Sequence, residues 1–196
     1  MKRIMLSVLC LLMFSLTGEA SYAQTVLTDV WKDKTYQSTV KKIAVFLIMN
    51  DDARRILWED EFVRQLKARG INAMPAYTII PPEKMVEKET ALTKMKDLKV
   101  DAVITMKLVD KLTARTTISP PDPSRRSGFY EYAFDIQTKG DEEPAYLETN
   151  LFDVNKTGQR VWTVRSVTKV DAADNKLMSD FIQLIIGRLA SDGMIP

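Results

Sequence analysis

The sequence predicts a single α/β domain with a mixed sheet. Two apolar runs of strand length, residues 42–49 and 100–106, are separated by two helical patterns, an alternation typical of parallel β-α-β units. Three more strand patterns follow with short connections, so these strands should pair antiparallel. An amphipathic helix is predicted at 174–190, with an apolar stripe formed by Leu177, Phe181, Ile182, Leu184, Ile185 and Leu189. The domain is assigned to residues 41–196, after a polar, extended lead-in over 24–40.

Residues 1–23 have the pattern of a secretory signal peptide. A positively charged start is followed by an apolar run over residues 4–16, and small residues precede a cleavage position after Ala23. The apolar run is too short to span the roughly 30 Å hydrocarbon core of a membrane, which needs about 20 residues. Cys10 lies inside the apolar run and is not placed for lipidation. We therefore predict a periplasmic protein without a lipid anchor and without a transmembrane span in the mature chain.

The first strand and the helix after it have clear boundaries in the sequence. The strand over 42–49 is apolar almost throughout and should be buried on both faces of the sheet. The polar triplet at 50–52 supplies a helix N-cap, and apolar residues at helical spacing continue over 53–69. Gly70 is placed to end this helix in a left-handed conformation.

The order of the parallel strands follows from one proline. The second strand, over 71–77, contains Pro75, which cannot donate to a ladder, so this strand should lie at an edge. Residues 81–98 are predicted as a second helix and 100–112 as a third strand. With the first strand buried, the spatial order becomes 2-1-3. Right-handed crossovers then place the two helices on opposite faces of the sheet.

The second half begins with a proline-rich, basic loop at 119–128, whose sequence is SPPDPSRRSG. Strand patterns follow at 129–138, 146–154 and 160–169, joined by short turns. Arg125 and Arg126 in the loop are candidates for contact with an anionic partner, and a solvated loop tip is the alternative explanation. Four large aromatic side chains are predicted to lie in the core rather than on a recognition surface. These are Trp58, Tyr130, Tyr132 and Trp162.

Composition excludes several classes of function. Lys+Arg total 28 and Asp+Glu 26, so there is no excess of cation for a nucleic-acid backbone. The chain has no histidine and one cysteine, which excludes imidazole bases and His/Cys metal centres. A metal would need oxygen ligands, and the acidic clusters at 50–52 and 141–143 are interpreted as turn charge. We therefore expect no cofactor, no metal, no nucleic-acid partner and no catalysis.

Open α/β sheets bind ligands beyond the carboxyl ends of their parallel strands. The candidate ligand crevice of this chain is lined by Asn50, Asp51, Asp52, Tyr77, Thr78 and Asp110. The turn at 49–52 has no glycine to let a phosphate approach, and its carboxylates would repel one, so dinucleotide binding is disfavoured. Helix capping explains Asp51 and Asp52 more simply than ligand binding does.

Several segments occur together, and in the same order, in a known family. They are 31–33 (WKD), 42–45 (KIAV), 66–70 (LKARG), 101–104 (DAVI), 147–154 (LETNLFDV), Gly158 and 161–162 (VW). On these segments the chain resembles uncharacterised bacterial envelope proteins, many of them lipoproteins, whose fold is similar to the amino-terminal domain of TolB. Curli-secretion and penicillin-binding-protein-activating lipoproteins share that general fold. The resemblance implies an accessory envelope role and transfers no catalytic residue, and this chain lacks the lipidation cysteine.

The sequence thus favours an exported, non-catalytic interaction or assembly module of the bacterial cell envelope, with an envelope protein as partner. The alternative is a periplasmic protein that binds a small, cationic or amine ligand in the crevice. A carboxylate-dependent hydrolase built on Asp51, Asp52 and Asp110 is the third reading. A homo-oligomer is compatible with the sequence, because Pro75 blocks only part of one sheet edge.

Overall fold

The computed structural model shows six strands and three α-helices among the residues that it describes. It describes residues 25–37, 40–49, 51–80, 88–109, 118, 120, 145–155, 158–168 and 175–196. In chain order the elements are β1 (Thr25–Lys32), β2 (Lys42–Ile48), α1 (Asp52–Ala68), β3 (Asn72–Pro75), a 3₁₀ turn (Ala76–Thr78), α2 (Lys88–Asp97), β4 (Ala102–Leu108), β5 (Ala145–Asp153), β6 (Gln159–Thr168) and α3 (Asn175–Ser191).

The strands form one mixed sheet in the order β1-β6-β5-β4-β2-β3. Strand β2 pairs in parallel with both β3 and β4, whereas β4–β5, β5–β6 and β6–β1 are antiparallel. The three parallel strands therefore lie in the predicted order, with the first strand between the other two. Pro75 is in the strand at the sheet edge, where its missing N–H does no harm.

Strand β2 is buried on both faces, as its apolar sequence predicts. Ile43, Val45 and Leu47 belong to a core cluster shared with α1 and α3. Ala44 and Phe46 belong to a second cluster, which includes residues of α2. The two crossover helices therefore lie on opposite faces of the sheet, which confirms the prediction.

Helix α1 begins and ends where its sequence indicates. The Asp51 side chain accepts a hydrogen bond from the backbone N–H of Arg54 at 3.0 Å, so Asp51 is the N-cap. Gly70 follows the helix with φ +80°, in the left-handed region that favours glycine. The amide of Gly70 donates to the carbonyl of Lys67 at 2.9 Å, which satisfies one of the last carbonyls of the helix.

The segment expected as an extended lead-in contains strand β1. Its residues pair with β6 from Thr25–Thr168 to Lys32–Trp162, with one irregularity between Leu27 and Asp29. Lead-in and sheet are therefore joined by a full antiparallel ladder. The Arg160 guanidinium also makes a cation–π contact with the Trp31 ring, with its central carbon 5.5 Å from the ring centroid.

Helix α3 covers the sheet with an apolar face. Its buried residues are Phe181, Ile182, Ile185, Ile186 and Leu189. Beyond the helix, Asp192 accepts a hydrogen bond from the Trp162 indole at 2.7 Å, and its backbone carbonyl accepts one from the Lys32 ammonium. The end of α3 is thus tied to both β6 and β1. Trp58 and Trp162 are buried, which confirms the core prediction for these two aromatics.

Several predictions fall on residues outside the described ranges. They concern the signal peptide at 1–23, the first turns of the second helix at 81–87, the continuation of the third strand past 110, the strand at 129–138 with Tyr130 and Tyr132, and the loop at 119–128 apart from Pro120. Within the described ranges, no helix combines the length and apolarity needed to cross a membrane.

Candidate functional site

The residues of the predicted crevice lie on two elements. Asp51 and Asp52 are exposed at the start of α1, whereas Tyr77 and Thr78 lie in the 3₁₀ turn after β3. Four other candidate residues fall outside the described part of the chain. They are Asn50 and Asp110 of the crevice and Arg125 and Arg126 of the loop.

The carboxylates at the start of α1 make contacts within that helix. Asp51 caps the helix through the Arg54 amide, and its carboxylate is also 3.7 Å from Nε of Arg54. Asp52 lies 3.8 Å from Nη1 of Arg55. Both carboxylates thus stabilise the first turn of α1, the role that capping predicts.

Tyr77 and Thr78 are hydrogen-bonded away from these carboxylates. The Tyr77 hydroxyl donates to Asp60 at 2.8 Å, and this bond raises the pKa of Tyr77 above its ordinary value. Asp60 lies eight residues after Asp52, which is about 12 Å along a helix. The Thr78 hydroxyl donates to the carbonyl of Pro75 at 2.7 Å. The structure therefore does not bring the Tyr77 hydroxyl to the start of α1.

A carboxylate that the sequence reasoning missed lies beneath this region. Glu59 of α1 is fully buried and accepts the backbone N–H groups of Leu47 at 3.1 Å and Tyr77 at 3.0 Å. The last β2–β3 pair is Val45 with Pro75, so the amide of Leu47 lies beyond this ladder. Glu59 thus replaces the acceptor that a longer β3 would supply.

Burial controls the ionisation of Glu59. Loss of water raises its pKa from 4.5 to about 7, and this effect outweighs the amide hydrogen bonds from Leu47 and Tyr77. The Arg55 guanidinium, with Nε 3.8 Å from the carboxylate, opposes the rise less strongly. The protonation of Glu59 therefore changes near neutral pH.

Arg55 is itself unusual, because it is buried at the first turn of a helix. Its guanidinium carbon lies 6.0 Å from the Phe46 ring centroid. Its Nε and Nη2 atoms are buried and have no hydrogen-bond partner within the described ranges. Such donors are normally paired, because burying an unpaired one is costly.

One sequence signal could have identified Arg55 and Glu59. Both continue the inward stripe of Phe62 and Leu66 at intervals of three and four residues, so they occupy positions where a helix facing a core carries apolar side chains. Opposite charges four residues apart on a buried face indicate a local pair.

A second buried polar group lies on the sheet face opposite α1 and α3. Arg165 donates to Glu148 at 2.7 Å, and Thr163 donates to Asn150 at 2.7 Å. Both are cross-strand pairs between β5 and β6. A slip of one residue would separate both pairs, so this group specifies the register of the two strands.

The outward face of α3 lines an open groove of about 600 Å³. The helix contributes Asp180, Gln183, Leu184, Gly187, Arg188 and Ser191. Leu27 of β1 and Arg69, which follows α1, complete the lining. Leu184 is 38% exposed, although it is a large apolar side chain. The groove thus combines an apolar centre with charged ends.

Nothing in the described ranges has the arrangement of a metal centre, since no group of three or more acidic side chains converges there. The described polar side chains of the predicted crevice all contact residues of α1 or β3. The groove along α3 is therefore the better candidate for a functional surface.

No protein-family model matches the chain, and no curated protein matches it. Among solved structures, the chain is similar to a PelC dodecamer from Paraburkholderia phytofirmans, with 11% identity over 88% of this chain and 99% of that one, at a TM-score of 0.46. It is similar to a variant PelC dodecamer from the same organism, with 15% identity over 87% of this chain and all of that one, at a TM-score of 0.46. These likenesses identify neither a family nor a function for this chain.

Proposed function

We propose that this chain is an exported, non-catalytic interaction module of the bacterial cell envelope, and that it binds protein through the groove along α3. The observation that carries the proposal is the exposed Leu184 at the centre of that groove. A single exposed apolar side chain is ordinary, but an apolar centre inside a groove with a polar rim is the arrangement of a protein contact surface.

The absence of catalysis is supported by the chemistry of the chain. No histidine exists to act as a base. Among the described acidic groups, Glu59 is the one raised to about 7, and it is fully buried under two backbone amides. A carboxylate in that position joins elements of the fold and is shielded from solvent.

Export is supported by the signal-peptide pattern of residues 1–23. The test is the amino-terminal sequence of the protein recovered from the periplasm of the producing bacterium. A chain that starts at Gln24 supports export with cleavage after Ala23, whereas an intact chain in the cytoplasm contradicts it.

The interaction itself is tested by photocrosslinking in cells. A photoreactive phenylalanine analogue replaces Leu184, and the matched control carries it at Leu57, a residue of α1 that is 61% exposed. We expect a discrete protein adduct from position 184 that position 57 does not give. Equal adducts at the two positions, or none at 184, would contradict the proposed surface.

A second candidate function is the binding of a small ligand at the carboxyl ends of the parallel strands. The Nε and Nη2 atoms of Arg55 favour it, because both are buried and neither has a hydrogen-bond partner among the described residues. They call for an anionic ligand, such as a carboxylate or phosphate, rather than the amine suggested by Asp51 and Asp52. An increase in melting temperature with phosphate or succinate that Arg55→Gln abolishes would support this function. An unchanged melting temperature with both anions would contradict it.

A further inference from the structure

We infer that the protein bound at the α3 groove is a second copy of this chain, with the two α3 helices packed antiparallel across a two-fold axis near Leu184. This inference rests on the proposed function, which assigns protein binding to the same groove. The outward face of α3 supports this pairing through its spacing, its shape and the order of its charges.

The outward face of α3 has the spacing of a helix-packing surface. Its residues follow one another at intervals of three, one, three, one and three, from Asp180 to Ser191. This spacing keeps them on one side of the helix. The opposite side is fully occupied by the core, where Phe181, Ile182 and Ile185 are buried. The outward side is therefore available for a second helix along three turns.

The shape of this face includes a gap beside Leu184. Gly187 lies one turn further along α3, and a Cβ atom added there would meet nothing within 4 Å. Its backbone is helical, so neither its conformation nor the surrounding chain requires glycine. Glycine weakens a helix interior relative to alanine. A second helix that packs closely, with its own Leu184 over this gap, explains why position 187 is glycine and not alanine.

The order of the charges along α3 favours a second copy of this chain as the partner. Asp180 lies four residues before Leu184 and Arg188 lies four residues after it. An antiparallel pairing centred on Leu184 places Asp180 of each copy opposite Arg188 of the other, twice in one interface. A parallel pairing would place like charges together. The face is thus complementary to itself, as a two-fold interface requires.

Both charged side chains can reach a partner. The Asp180 side chain is 55% exposed, and its ion pair with Lys176 is a surface pair of low strength. The Arg188 side chain is 39% exposed and bonds Asp192 through Nε, so its terminal nitrogens remain as donors. The intrachain pairs therefore do not prevent the exchange of partners across the two-fold axis.

The first test is a charge exchange measured by sedimentation equilibrium of the purified chain. We expect the unmodified chain to form dimers at high concentration. Asp180→Arg alone and Arg188→Asp alone should each abolish the dimer, and the double variant should restore it. Dimers that persist in all three variants, or an unmodified chain that stays monomeric at every concentration, would overturn the inference.

The second test uses disulfide crosslinking and does not depend on charge. In a Cys10→Ser background the chain has no cysteine. Leu184→Cys should then form a disulfide-linked dimer under mild oxidation, whereas Leu57→Cys should not. A different outcome is that Leu184→Cys stays monomeric while the photoreactive group at position 184 captures a different protein. That result would contradict the pairing of two copies and would support the proposed function. If position 184 captures no protein at all, both fail.

Discussion

The buried carboxylate of Glu59 accepts the backbone N–H of Tyr77 at 3.0 Å and so joins the middle of α1 to the turn that ends β3. The same carboxylate accepts the amide of Leu47. One side chain thus connects β2, α1 and the end of the edge strand, where the backbone ladder has stopped. Its charge state should therefore affect the stability of the whole parallel half.

The stability of the protein should depend on the ionisation of Glu59. Its pKa is about 7 in the folded chain and about 4.5 as an ordinary carboxyl. The folded state therefore binds the proton more tightly, and this contribution is fully present below about pH 4.5 and is lost as pH rises through about 7. The loss amounts to at most about 3 kcal/mol.

Urea unfolding of the unmodified chain and of Glu59→Gln, across this pH range, measures the effect. The free energy of unfolding of the unmodified chain, minus that of the variant, should fall as pH rises. A difference that is independent of pH would show that Glu59 does not titrate in this way.

Loss of the α1 cap should destabilise the protein more than loss of a neighbouring charge. Asp51→Ala removes the acceptor of the Arg54 amide, so we expect a loss of about 1 kcal/mol in the free energy of unfolding. Asp52→Ala makes the same change of charge one residue later and removes a 3.8 Å contact between the exposed Asp52 carboxylate and Arg55 but no backbone hydrogen bond, so its effect should be much smaller. Equal losses for the two variants would contradict the assignment of Asp51 as the cap.

The buried pair of Glu148 and Arg165 should behave as a coupled unit. Glu148→Leu or Arg165→Met alone removes the charged partner 2.7 Å from the other buried group, so each should destabilise the protein by about 3–5 kcal/mol. The double variant should lose much less than the sum of the two. A double-mutant cycle by chemical unfolding measures the coupling, and additive losses would mean that the pair is not coupled.

Gly187→Ala should separate folding from association. Alanine is favoured over glycine in a helix interior, and the added methyl group meets open space, so the monomer should gain about 0.5–1 kcal/mol. The same methyl group should weaken the antiparallel pairing of two α3 helices. Chemical unfolding of the dilute protein and sedimentation of the concentrated protein measure the two effects. Unchanged association would argue against close helix contact at this position.

Local signals made the parallel half predictable from the sequence. The apolar run of β2, the cap at Asp51, the left-handed turn at Gly70 and the edge position of Pro75 each depend on neighbouring residues only. Such features are determined by backbone sterics and the period of burial. These features predicted the order of the parallel strands, and the structure confirms that order.

The remaining features of the fold and of the site depend on contacts between residues that are far apart in the sequence. Strand β1 pairs with β6, and Thr25 and Thr168 are 143 positions apart, so the polar lead-in did not reveal its partner strand. Glu59 reads as one more surface charge until β2 and the 3₁₀ turn are packed against it. The apolar stripe predicted for α3 included the buried Phe181 and Ile185, but its inclusion of Leu184 was wrong, because Leu184 lies on the exposed outward face. The groove on that face required the positions of β1 and α1.

The most direct measurement is the mass of the adduct formed in cells by the photoreactive group at position 184. Protein binding through α3, with a second copy as the partner, leads us to expect an adduct of twice the mass of the chain, which Arg188→Asp removes and position 57 does not form. A chain that remains entirely uncrosslinked at position 184 would contradict the assignment of this groove as a protein-binding surface.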